Sequence, residues 1–129
     1  MAEMIKKQKN VNDSKDILIN KGTAIIRNCQ VNNTGVSSVN GVKEIPAGTP
    51  IGGTTSLITN PNAVLSVTNT SAAGVNTQGI LLETVDVTNG NANGKIVISG
   101  AIDISKCPTL DATVLTALKG YIAFVNGGK

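Results

Sequence analysis

Apolar positions along this chain come in short clusters separated by Gly, Asn, Pro and Thr, a pattern of strands and turns. The first such cluster predicts a strand over 23–31, carrying Ile25 and Ile26, and polar residues 32–42 predict a loop. Residues 44–53 read as extended but poorly laddered, because Pro46 and Pro50 lack an N–H; Gly48, Gly52 and Gly53 permit bends or close contacts there. A short strand follows at 63–67. Two longer ones, 79–87 and 95–105, flank a turn with Asn-Gly at 89–90 and 93–94, which predicts a hairpin. On the second, Ile96, Ile98, Ile102 and Ile104 alternate and so share one face, interrupted at Gly100 as by a bulge. One helix is expected, from Pro108 or Thr109 to Lys119. Leu110, Val114 and Leu118 form its apolar stripe, Asp111 suits its start, and Gly120 stops it. Residues 121–125 read as a closing strand.

These elements make the fold mainly β with one short helix (α+β): a compact β domain behind an extended N-terminal arm. The length of 129 residues fits that plan. With 40% hydrophobic residues but one Tyr, one Phe and no Trp, the core must rest on Ile, Val, Leu and Ala. The expected division is a basic arm with the first strand at 1–27, a loop or linker at 28–43, and a β-rich domain at 44–129.

Charge sharpens that division. The net charge of +3 comes entirely from residues 1–27, where Lys6, Lys7, Lys9, Lys15, Lys21 and Arg27 outnumber Glu3, Asp13 and Asp16. Such an arm can engage an acidic protein surface or nucleic acid, or be no more than a solvated tail. Within it, Ile17-Leu18-Ile19 is too short to form a core and can add as a strand to its own sheet or a partner's. Residues 1–9 are charged and no apolar run follows, so neither a secretory leader nor a bilayer span is expected. In a chain made in the cytoplasm, Cys29 and Cys107 are expected as reduced, partly buried thiols.

Catalytic chemistry is sparse. Absence of His removes the commonest general base and metal ligand. Glu83 and Asp86, three apart on one expected strand, would point to opposite faces, and Cys107 has only Lys106 as a basic neighbour. The Asn-rich stretch 86–93 lacks the acidic count of a calcium loop, and no phosphate-binding Gly motif occurs. Two aromatics cannot build a stacking platform for nucleic acid. No catalytic, cofactor or metal site is therefore expected.

The order of elements carries a resemblance. A charged arm precedes Pro-Ala-Gly-Thr-Pro-Ile (46–51) and a short strand. Then come Gln-Gly-Ile-Leu-Leu-Glu-Thr-Val-Asp-Val-Thr-Asn-Gly (78–90), Val-Ile-Ser-Gly-Ala-Ile-Asp (97–103), a short helix and an apolar closing strand. From about residue 44 to 125 this resembles the phage lambda head-decoration protein family, particularly its relatives on HK97-type capsids. The resemblance implies a homotrimer on the outer surface of the expanded capsid, at three-fold and quasi-three-fold sites, stabilising the head. Its implied partners are the major capsid protein and further copies of itself, with no nucleic acid and no membrane. The implied location is the virion, after synthesis in the host bacterial cytoplasm.

The family has no catalytic or metal residues to transfer. Its N-terminal arm is typically the part that touches the capsid, and residues 1–27 occupy that position here. Because this arm departs from the lambda protein's sequence, the candidate contacts are chosen on chemistry alone. Lys6, Lys7 and Lys9 are chosen for charge, and Ile17, Leu18 and Ile19, continuing to Ile25 and Ile26, as an added strand. The alternative is a head-fibre base or host-surface adhesin displayed on the capsid, since related head-fibre proteins share a similar segment. It ranks lower because no shaft-like segment follows residue 125, and glycan binding would want more stacking aromatics than Tyr121 and Phe124.

Overall fold

A computed structural model of the chain describes residues 17–19, 22 and 24–126. Among the described residues, eight strands run in the order β1 (Ile25–Val31), β2 (Glu44–Ile45), β3 (Pro50–Gly52), β4 (Val64–Val67), β5 (Thr77–Leu81), β6 (Val85–Asp86), β7 (Ala92–Asp103) and β8 (Ile122–Val125). The single α-helix among the described residues, α1, spans Ala112–Leu118.

The main sheet has the order β1-β4-β3-β5-β7-β8, and β1 also pairs with β7. That extra pairing closes the sheet into a barrel-like ring, with β8 attached to β7 as a parallel strand. Closure hides the edges that an open sheet would expose. β2 and β6 form a separate small pair at one end.

Two apolar clusters use the two faces of this ring. Cys29, Val31, Ile51, Leu65, Leu81 and Ile96 meet in one. The other joins Ile80 and Val97 on the opposite face to Ile102, Ile122 and the helix residues Val114 and Leu118. Successive residues Ile96 and Val97 are both fully buried, one in each cluster. β7 is therefore covered on both faces, which its even-position isoleucines alone do not reveal.

Several expectations need correction. The apolar run 79–87 is two strands, since the chain leaves β7 after Leu81 and turns back so that Val85 pairs with Ile45. The hairpin partner is right, but the connection passes through β6. Asn93-Gly94 lies inside β7; Val87 O accepts from Gly90 N at 3.1 Å, so the turn sits at 87–90. The expected division at 27/28 falls inside β1, and Cys29 and Val31 are core residues.

Nor do Ile96, Ile98, Ile102 and Ile104 share a face. Ile25 pairs with Ser99 and Ile26 with Val97, so β7 carries an extra residue there, and Gly100 follows at φ 141°. One extra residue reverses the faces beyond it, which takes Ile102 into the cluster of Val97; Ile104 lies in a 3-10 turn.

The helix starts later than Pro108 because Asp111 caps it. Asp111 Oδ1 accepts from Thr113 N at 3.0 Å and Thr113 Oγ1 at 2.7 Å, while Asn69 Oδ1 accepts from Asp111 N at 2.8 Å. The Thr113 amide, then its hydroxyl, holds the Asp111 carboxyl below the ordinary carboxylate range. A pKa lowered by folding stabilises above the unfolded value, about pH 4, and that contribution is lost as pH falls through the folded pKa. Asp111→Asn keeps the acceptor but removes the titration. It is expected to leave the neutral-pH Tm nearly unchanged and to reduce the fall in Tm below pH 4. An identical acid limb in the variant would show that the cap does not titrate with folding.

Candidate functional site

The apolar candidates of the arm lie along β7. Ile17 O accepts from Asp103 N at 2.9 Å, Leu18 bridges antiparallel to Ile102, and Ile19 N donates to Ala101 O at 3.1 Å. Ile17 is fully buried among Ile80, Val97, Ile102 and Val114, and Leu18 packs against the same group. Ile25 and Ile26 then pair with the preceding stretch of β7, at Ser99 and Val97.

Of the two strand partners open to Ile17-Leu18-Ile19, the structure shows the chain's own β7. Burying Ile17 on the outer face of the ring removes it from water without any second protein. The exposed members of the set are Ile19, Ile25 and Ile26, at 41%, 54% and 40%. Lys6, Lys7 and Lys9 lie outside the described residues.

A feature missed in the sequence is a groove of about 1000 Å³ across the β1–β7 pair. Residues 28–30 and 92–95 line it from the two strands, with residues 61–63 and 83–86 contributing the rest. Glu83 and Asp86 both line this groove, which corrects the expectation of opposite faces; that geometry assumed one continuous strand, and the chain bends between β5 and β6. The signal available in sequence was the Glu-Thr pair at 83–84 interrupting an otherwise apolar run.

The groove's chemistry favours binding over reaction. Asp86 Oδ1 accepts from Thr88 Oγ1 at 2.6 Å and Thr88 N at 2.9 Å; these bonds, the hydroxyl first, hold its carboxyl below the ordinary range, so it stays ionised at neutral pH. Thr84 Oγ1 is occupied by Ala47 N at 3.1 Å. Burial pushes the Cys29 thiol up, against a smaller opposing effect of the Arg27 charge, which disfavours the nucleophilic thiolate. Cys29 and Cys107 are both thiols, buried and half-buried, as expected.

Among the described residues no group of three or more His, Cys, Asp or Glu could hold a metal ion. No helix among them is long and apolar enough to cross a membrane. Compared with known proteins, the chain matches no family model and no curated sequence.

Proposed function

We propose that this chain is a structural protein of the virion. It binds the outer surface of the expanded phage capsid as a homotrimer at three-fold and quasi-three-fold sites and stabilises the head. What carries the proposal is the ordered set of segments resembling the lambda decoration family. Residues 46–51 run into β3, 78–90 include β5 and β6, and 97–103 lie in β7, followed by α1 and β8. The net positive charge all precedes these segments.

The physical logic is clamping. A trimer bridging neighbouring capsomers adds its own contacts to those that shell opening must break. Three arms on one body bind with avidity, so each needs only a modest contact. Attachment through Lys6, Lys7 and Lys9 is long-range and salt-sensitive, while Ile19, Ile25 and Ile26 offer apolar surface beside β7.

Co-sedimentation with empty expanded heads tests this. Binding is expected, and it should weaken as salt rises. Replacing Lys6, Lys7 and Lys9 together by Ala should flatten that salt dependence. Failure of the unaltered protein to bind expanded heads sinks the proposal; an unchanged salt slope in the triple variant removes the lysines from it.

A further inference from the structure

Asn-Gly occurs four times in this chain, at 40–41, 89–90, 93–94 and 126–127. Each pair can in principle alter itself, because a glycine nitrogen has no neighbouring side chain to hinder its attack on the preceding amide. Folding decides which pair reacts. Gly127 lies outside the described residues, so the structure places three of the four.

Asn93-Gly94 is held inside β7, with Asn93 opposite Gln30 and Gly94 opposite Cys29. Gly94 is buried, and a Cβ there would meet Leu81, Val31 and Val85. Bringing Gly94 N onto the Asn93 side chain would turn extended backbone out of the β1–β7 ladder. At Asn89-Gly90 the nucleophile is occupied, since Gly90 N donates to Val87 O at 3.1 Å. Val87 is fully buried, so that turn is tied to the core.

Asn40-Gly41 has neither restraint. Both residues are exposed and make the two-residue turn of the Val39–Val42 bridge, which belongs to no named strand. Val39 and Val42 make both hydrogen bonds of the turn, and among the described residues Gly41 N donates to no acceptor. Beyond its chain neighbours, no atom lies within 4 Å of where a Gly41 Cβ would stand. Asn40 is also the one non-glycine among the described residues at positive φ, 55°, a conformation whose steric cost is relieved on leaving it. Opening the turn breaks two hydrogen bonds and moves two valines already 67% and 40% exposed, so it uncovers no core residue.

We propose that Asn40 is a self-modification site, converted by water to aspartate and isoaspartate through a cyclic imide. Gly41 N bonds to Asn40 Cγ as the Cγ–Nδ2 bond breaks, and ammonia leaves with the proton that Gly41 N gives up. Water then opens the imide. Attack at Cγ gives aspartate, whereas attack at the main-chain carbonyl gives isoaspartate, whose backbone runs through Cγ. One water is consumed and one ammonia released, with no change of oxidation state.

Either product puts a carboxylate where a neutral amide stood. Isoaspartate also lengthens the main chain of a two-residue turn, so Val39 and Val42 lose their register. The strand ring is untouched, because neither valine belongs to the core clusters. None of this depends on the capsid reading.

Peptide mapping by mass spectrometry tests the proposal on the full chain, aged in mildly alkaline buffer made with heavy-oxygen water. In the folded protein Asn40 should take up label at least about tenfold faster than Asn89 or Asn93. In denaturant the three rates should come within about threefold of one another, since protection by the fold is gone. An isoaspartyl methyltransferase should methylate the peptide carrying residue 40 in the aged chain. It should not do so in Asn40→Gln, whose longer side chain closes a ring far more slowly.

Labelling at Asn89 or Asn93 as fast as at Asn40 in the folded protein overturns the proposal. So does an Asn40 that stays unlabelled while the denatured chain reacts. The same ordering in denaturant would trace it to neighbouring residues rather than to the fold, and label without methylation would mean direct hydrolysis of the amide; either result also overturns it.

Discussion

Deleting residues 1–20 lowers the melting temperature sharply, whereas deleting residues 1–16 leaves it nearly unchanged: that contrast is the expected result of truncating the arm. The reason is Ile17. Its side chain is fully buried between the outer face of the ring and α1, and its carbonyl accepts from Asp103 N. Emptying such a site costs about 2–5 kcal/mol, and for a domain of this size that is a drop on the order of 10 °C. Residues 1–16 are mostly polar or charged in sequence, so little apolar burial is expected from them, and they include Lys6, Lys7 and Lys9. The shorter deletion therefore separates attachment from stability: it should melt and assemble like the full chain but decorate expanded heads poorly. If the 1–20 deletion melts normally, Ile17 is not part of the core. If the 1–16 deletion decorates normally, the capsid contact lies on the folded domain.

That arm shows where sequence reasoning stops. A three-residue apolar patch among charges can be a free recognition strand or the last strand of its own sheet, and both have the same composition. Only the location of an open β7 edge decides between them, and that depends on where a bulge near Gly100 redirects the chain. The strand and helix periodicities were legible because each depends on near neighbours: β1, β4, β8 and α1 all fall within their expected segments. Asn-Gly chemistry was legible in kind but not in place. The pair that adopts left-handed backbone at both residues is Asn40-Gly41, at φ 55° and 80°, closing Val39 onto Val42 with N···O distances of 2.8 and 3.0 Å. Loop 32–42 looked merely polar because its apolar flank is two single valines. The groove holding Glu83 and Asp86 was invisible for a related reason: a run that reads as one strand bends at residues 82–84, and the bend answers to β2, far away in sequence.

The second large effect is expected at adjacent glycines, Gly52 and Gly53, which sequence cannot rank. At Gly52, β3 passes so close to the end of β5 that an added Cβ would lie 2.1 Å from Asn76 O and 2.7 Å from Thr77 Cα. Both are backbone atoms, so no side-chain rotation can relieve the contact. β3 is also locked on its other edge to β4, through Ile51 opposite Val67 and Gly52 opposite Ser66. The register between β3 and β5 already shifts at Ile51/Gly52, which leaves little slack for the strands to separate. Gly52→Ala should therefore destabilise by at least about 3 kcal/mol, at or beyond the usual upper range for overpacking. At Gly53 the nearest atom to an added Cβ is Leu65 Cδ2 at 3.5 Å, an ordinary contact. Gly53→Ala should change stability by less than about 1 kcal/mol, with the restricted unfolded chain offsetting part of any cost. Chemical denaturation of the two variants side by side measures the difference. Equal stabilities would mean that β3 and β5 do not approach as closely as the ring requires.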